Sequence, residues 1–127
     1  MRKGFTLIEL IIVIIIVGVL ATLGMTQYTK MVEKGRAAEA RSILGALRTA
    51  ENAYNLEYGN YTATIADLGV DAPGACGVTH YFSYACAAAT GTCTATRCTA
   101  GGKAPQSGVA YTKTLTIAGD FGGTAGY

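Results

Sequence analysis

The sequence predicts an α+β fold, in which a long amino-terminal helix, apolar in its first half and amphipathic in its second, packs on a small antiparallel sheet. Three observations carry this. Leu10 to Ala21 contains no polar side chain, and no proline occurs between Phe5 and Tyr58. Beyond Tyr58 the texture changes to Gly-rich turns between short runs, one of which alternates with a period of two. The composition is that of a thin domain, with 21 Ala, 17 Gly and 17 Thr among 127 residues and no Trp. So small a core excludes a large multi-substrate enzyme and leaves a binding, structural or assembly module. The net charge of +2 is that of Arg2 and Lys3, the rest of the chain being balanced. It gives a nucleic-acid partner no general support.

The chain divides into a basic leader at 1–4, an apolar helix at 5–25, an amphipathic helix at 26–58 and a globular meander at 59–127. Phe5 to Met25 reaches ~30 Å as a helix, enough to span a bilayer core. A secretory signal has a shorter apolar region followed by a small-x-small cleavage site, whereas this stretch runs on into a helical pattern. A membrane anchor explains the length, with Arg2 and Lys3 holding the leader in the cytoplasm. It does not explain Glu9, since a carboxylate within an apolar span costs ~2.5 to 3.5 kcal/mol on insertion scales and marks a function with a nearby partner. Gly18 and Gly24 each cost ~1 kcal/mol relative to Ala within a helix, and close helix packing in a membrane is one reason to keep them.

In the second half, Met25, Tyr28, Val32, Ala40, Ile43, Leu47, Ala50, Tyr54 and Tyr58 recur at helical steps and form one apolar stripe. Lys30, Lys34, Arg41, Arg48, Glu51 and Glu57 fall mainly off it. An unbroken helix from Phe5 to Tyr58 would run ~80 Å. Small Ala positions, with Gly35 and Gly45 nearby, suit packing on a sheet better than a heptad seam.

Gly59-Asn60 ends the helix. Thr64 followed by Asp67 predicts a short helical turn near 64–68, and Gly69 to Gly77 reads as a loop. Strand-like runs follow at Val78 to Cys86, Thr92 to Thr99 and Val109 to Ala118, then a Gly-rich tail from Gly119 to Tyr127, making a meander of three or four strands. In the last run Tyr111, Lys113, Leu115 and Ile117 alternate with Thr112, Thr114 and Thr116. The cysteines, Cys76, Cys86, Cys93 and Cys98, lack the Cys-x2-Cys pairs of zinc sites. Their even number beyond a membrane helix favours disulfides in an oxidising compartment. Three connectivities are open. Cys86 and Cys93 flank a hairpin turn, which pairs them across it and leaves Cys76 with Cys98, although strand alternation puts Cys98 on the opposite face from Cys93. His80, the only histidine, reads as a surface or edge residue. No nucleophile motif or carboxylate dyad occurs, so neither catalysis, cofactor nor metal is expected.

Gly4 followed by Phe5-Thr6-Leu7-Ile8-Glu9, behind a basic leader and ahead of an uninterrupted apolar helix, resembles the type IV pilins and the pseudopilins of type II secretion. The resemblance covers residues 1 to about 58. It implies cleavage between Gly4 and Phe5 by prepilin peptidase, N-methylation of Phe5, and assembly through Glu9 and the Phe5 amino group. Its partners would be other copies in a helical filament, the inner-membrane assembly machinery and, before assembly, membrane lipid. The globular part would lie in the periplasm and then in an extracellular pilus. It also implies loosening of the helix at Gly18 and Gly24 on assembly, although the proline common after this stretch in pilins is replaced here by Thr26. The calcium site of major pseudopilins does not carry over, because Asp120 is the only acid beyond Asp71. The alternatives are a pseudopilin in a short periplasmic filament and a membrane-anchored binding domain that never polymerises.

Overall fold

A computed structural model describes residues 2–101, 103–105 and 107–124. Met1, Gly102 and Gln106 between the second and third expected strands, and 125–127 of the expected tail lie outside the described residues. The elements are α1 (Leu7–Tyr58), a short 3-10 helix η1 (Ile65–Leu68), β1 (Phe82–Cys86), β2 (Cys93–Arg97), β3 (Thr112–Leu115) and β4 (Phe121–Gly123). The strands form one antiparallel sheet in the order β1-β2-β3-β4. Two units separate by their contacts, one ending at Val32 and one beginning at Glu33. The expected α+β class, with a long helix and a small antiparallel sheet, is what the chain adopts.

In the second unit the helix buries Glu33, Ala37, Ala40, Leu44, Leu47 and Glu51. These meet Phe82, Tyr84, Cys86, Cys93, Ala95, Tyr111 and Leu115 from the sheet, with Ile65 and Leu68 of η1 at the margin. Alternation along β1 and β2 supplies the sheet's apolar face. The helical stripe is therefore set differently from the expected one. Met25, Tyr28 and Tyr58 are exposed, while Leu44 and two glutamates stand at the centre. Gly35 and Gly45 are not forced by close approach to the sheet, because a Cβ at either would meet nothing within 4 Å; small size there is no packing requirement.

The glutamates are buried because each has partners. Glu33 receives a forked guanidinium, with Arg97 Nε donating to Oε1 at 2.6 Å and Nη2 to Oε2 at 3.1 Å, and Tyr111 Oη donates to Oε1 at 2.6 Å. Arg97 also donates to the carbonyl of Cys98 at 2.5 Å. Both charges are almost wholly withdrawn from water, Arg97 at 1% and Glu33 at 3% exposure. Burial pushes the Glu33 carboxyl up, but the bonds from Arg97 and Tyr111 and the charges of Arg97 and Arg36 outweigh it and hold it below the ordinary carboxylate value. Burial first, then the bond to Glu33, raises the Tyr111 phenol. This triad ties α1 to β2 and to Tyr111, the residue that leads into β3. At the far end Glu51 accepts the backbone N–H of Thr62 at 3.1 Å.

The turn at 64–68 forms as expected, although Thr64 makes no side-chain cap. The Gly-rich tail corrects the expectation: Phe121–Gly123 is a fourth strand, pairing Gly123 with Lys113, Gly122 with Thr114 and Phe121 with Leu115. Gly123 has φ +129°, and a Cβ there would meet Thr112 O and C and the Lys113 Cα at under 3 Å. Glycine is what allows the close approach.

Candidate processing and assembly site

The first unit presents the amino-terminal residues in two states of backbone. Residues 2–6 have no regular secondary structure and are exposed, so the Gly4–Phe5 bond precedes the helix on accessible chain. Among the described residues a Cβ on Gly4 would meet nothing within 4 Å, so none of them requires glycine there. From Leu7 the backbone is helical, and residues 7 to 25 are all exposed, as Ile8 at 64%, Ile14 at 66% and Leu20 at 64% illustrate. A contiguous apolar surface of that extent marks a membrane or an assembly contact. Among the described residues α1 is the helix long and apolar enough to cross a membrane.

Glu9 also closes the start of the helix. Thr6 precedes the first helical residue and its carbonyl accepts the Leu10 N–H at 3.3 Å, which makes it the N-cap. Its backbone N–H donates to Glu9 Oε2 at 2.7 Å, and the Glu9 N–H donates to Thr6 Oγ1 at 3.3 Å. Thr6 Oγ1 lies 2.8 Å from the same carboxylate oxygen. Thr6-x-x-Glu9 is thus a capping box, satisfying two amide donors that a helix start otherwise leaves open. The signal was present in the sequence as a threonine three residues before a glutamate ahead of an apolar run. Phe5 and Glu9 also border one shallow depression with Leu10 and Val13, so Phe5 and the carboxylate belong to one local surface.

Gly18 and Gly24 lie inside unbroken helix, and a Cβ at either would meet nothing within 4 Å. Thr22 donates to the Gly18 carbonyl at 2.8 Å, Thr26 to Leu23 at 2.9 Å and Thr29 to Met25 at 3.2 Å. Such back-bonding competes with the helix ladder and favours bending, so the stretch combines two glycines with three threonines of this kind.

The structure pairs Cys76 with Cys98 and Cys86 with Cys93. Cys86 and Cys93 are register partners at the end of the β1–β2 hairpin, their Cα atoms 4.1 Å apart. Cys98 lies beyond the end of β2, where strand alternation no longer dictates its side. Glu51 stands against the Cys86–Cys93 bridge, and its Oε1 has no hydrogen-bond partner among the described residues. The two sulfurs are bonded to each other, so this group offers no thiolate to a metal. His80 Nε2 accepts the Gly77 N–H at 3.0 Å and helps shape the loop closed by Cys76–Cys98.

Residues 1–25 match the family model of the prokaryotic N-terminal methylation motif. The chain is 35% identical over 68 residues to the type IV major pilin protein PilA of Myxococcus xanthus, covering 54% of this chain and 31% of that protein. It is 38% identical over 71 residues to the fimbrial protein EcpC of Eikenella corrodens, covering 56% and 46%. With the type IV major fimbrial protein FimA of Dichelobacter nodosus it shares 42% over 50 residues, covering 39% and 32%. The chain spans less than half the length of these curated relatives. The methylation motif, the identity with major pilins over part of the chain, the exposed apolar helix and the four-stranded antiparallel sheet together make this chain similar to the type IV pilins.

Proposed function

We propose that the chain is the structural subunit of a type IV pilus-like filament, without catalytic activity of its own. It inserts in the inner membrane through residues 5–25, is cleaved between Gly4 and Phe5 by prepilin peptidase, is methylated on the Phe5 nitrogen, and is then drawn by assembly machinery into a bundle of helices from many copies. The observation that carries this is the exposed apolar surface of residues 5–25, headed by an accessible Gly4–Phe5 bond and interrupted by one carboxylate. Bilayer and helix bundle both shelter that surface, so transfer between them needs little change in apolar exposure.

Glu9 changes partner in this exchange. In the separate chain the Thr6 bonds hold its carboxylate; in a dry bundle its charge also needs a cation, which the Phe5 ammonium of its own or a neighbouring copy supplies. Axial register follows, because a slip leaves two buried charges unmatched. Gly18 and Gly24 are the positions where the helix loosens on entering the filament, as their cost to helix stability favours.

Intact mass of the isolated protein tests the pathway: loss of Met1 to Gly4 plus one methyl group is expected. Retention of residues 1–4 in the mature chain overturns the assignment in favour of an anchored binder. Microscopy with an antibody to the globular part separates long surface fibres, the expected result, from the periplasmic signal of a pseudopilin.

A further inference from the structure

The second half of α1 carries opposite charges on its two flanks. With the buried row through Ala40, Leu44 and Leu47 facing the sheet, the 100° step of the helix puts Lys34, Arg41 and Arg48 to one side and Glu39 and Glu57 to the other, where the one cation, Arg36, is already engaged by Glu33 and the Tyr81 ring. The packing shows which side is which. Arg48 Nε donates to the Ile117 carbonyl at 2.8 Å, just beyond β3, and Lys113 of β3 feels the charge of Arg41. Burial first and then that like charge lower Lys113, so Arg41 and Lys113 form a cationic pair that a counter-charge would relieve. The other flank runs toward β1, where Glu39 acts on Tyr84. There α1 and η1 enclose a groove of about 430 Å³ lined by Tyr54, Glu57, Tyr58 and Asp67. Glu57 and Asp67 are exposed, and the two tyrosine rings stand 4.5 Å apart. Carboxylates beside aromatic faces suit ammonium and guanidinium groups.

We propose that this groove receives the Lys34, Arg41 and Lys113 flank of a second copy of this chain. The occupant is a second copy because the complementary surface is the opposite flank of the same domain. A contact between two different patches of one molecule is heterologous and leaves both patches open at the ends, so it propagates into an open assembly. Glu57 lies 16 residues beyond Arg41 and 23 beyond Lys34. Parallel copies would therefore be offset by ~24 to ~35 Å along the helix direction. The inference rests on the filament reading and specifies where globular domains of neighbouring copies meet.

Zero-length carbodiimide coupling of the full chain in mild detergent at low salt tests it, with isotope-labelled and unlabelled chains mixed so that links between copies are recognised by mass. A ladder is expected in which Glu57 or Asp67 is joined to Lys34 or Lys113 of another copy, and added salt should reduce it. Glu57→Lys with Asp67→Lys should reduce the ladder by on the order of tenfold or more, as should Lys34→Glu with Arg41→Glu, which leaves Lys113 and its neighbour Tyr111 untouched. Combining all four reversals should restore it. Intact disulfides and an unchanged unfolding transition identify folded variants. No ladder from the parent, links that map elsewhere, a ladder that persists in either partial reversal, or a folded combined variant that stays uncoupled overturns the inference. Sheared filaments from cells separate the two readings. Cells without filaments but with the coupled ladder overturn only the filament function; filaments without these links overturn only this contact.

Discussion

Replacing Glu33 by Leu would leave the Arg97 guanidinium, 1% exposed, facing an apolar side chain with backbone carbonyls and the Tyr111 hydroxyl as its remaining partners. Removing one partner of a buried pair costs ~3 to 5 kcal/mol, against a total of ~5 to 15 kcal/mol for a domain of this size. At ~4 to 8 °C per kcal/mol, the transition would fall by more than ~12 °C. Tyr111→Phe removes one bond to a charged acceptor and should cost ~1.5 to 3 kcal/mol. The informative chain is Glu33→Leu with Arg97→Met, which removes both charges and leaves an apolar contact. Its stability should return to within ~1 kcal/mol of the parent or exceed it, because desolvation of a buried pair rivals its attraction. Urea unfolding of the full chain in mild detergent, followed by near-ultraviolet dichroism of the tyrosines, measures all four. The pH dependence has a defined sign. The Glu33 carboxyl is lower when folded, so its contribution is present above its unfolded value and is lost as pH falls through the folded one; the double variant should lack that acid limb. A Glu33→Leu cost below ~1 kcal/mol, or a double variant as unstable as the sum of its parts, would refute the reasoning.

Other consequences are measurable on the same chain. Cys86→Ala with Cys93→Ala opens a loop of sequence separation 7 and Cys76→Ala with Cys98→Ala one of 22; the chain-entropy relation gives losses of ~2.4 and ~3.4 kcal/mol, so the second pair should lower the urea midpoint more. Gly91→Ala puts a Cβ at φ +66° within 3 Å of Ile117 and Tyr61 side-chain atoms and should cost at least ~1 kcal/mol from the backbone alone, read in the same denaturation. Burial, then the charge of Glu39, pushes the Tyr84 phenol up to about 12; its contribution is present below the unfolded value and declines as pH rises toward 12, so an alkaline titration should show loss of stability there. Thr6→Val removes the side-chain half of the capping box, worth ~0.5 to 2 kcal/mol, and should increase amide hydrogen exchange at Leu7 to Glu9 while leaving cleavage after Gly4 intact by mass.

Several features were legible along the chain because neighbouring residues decide them. Apolar run length and the lack of proline specify the helix. Period-two alternation around Tyr111 to Ile117 specifies β3, and the hairpin turn between Cys86 and Cys93 sets those two residues opposite. The motif from Arg2 to Glu9 is likewise local, being a run of adjacent residue types. Other features required the tertiary structure. Glu33 and Glu51 look like solvated positions in the helical pattern, and they become core because Arg97, Tyr111 and the Thr62 amide, from 11 to 78 residues away, satisfy them. Phe121–Gly123 has little strand propensity of its own and is ordered by backbone pairing with β3. The charge asymmetry of α1 is written in its sequence, yet its two flanks acquire meaning only once the sheet fixes which helix face is buried, since one helical pattern can be rotated onto a partner in several ways until long-range contacts select one.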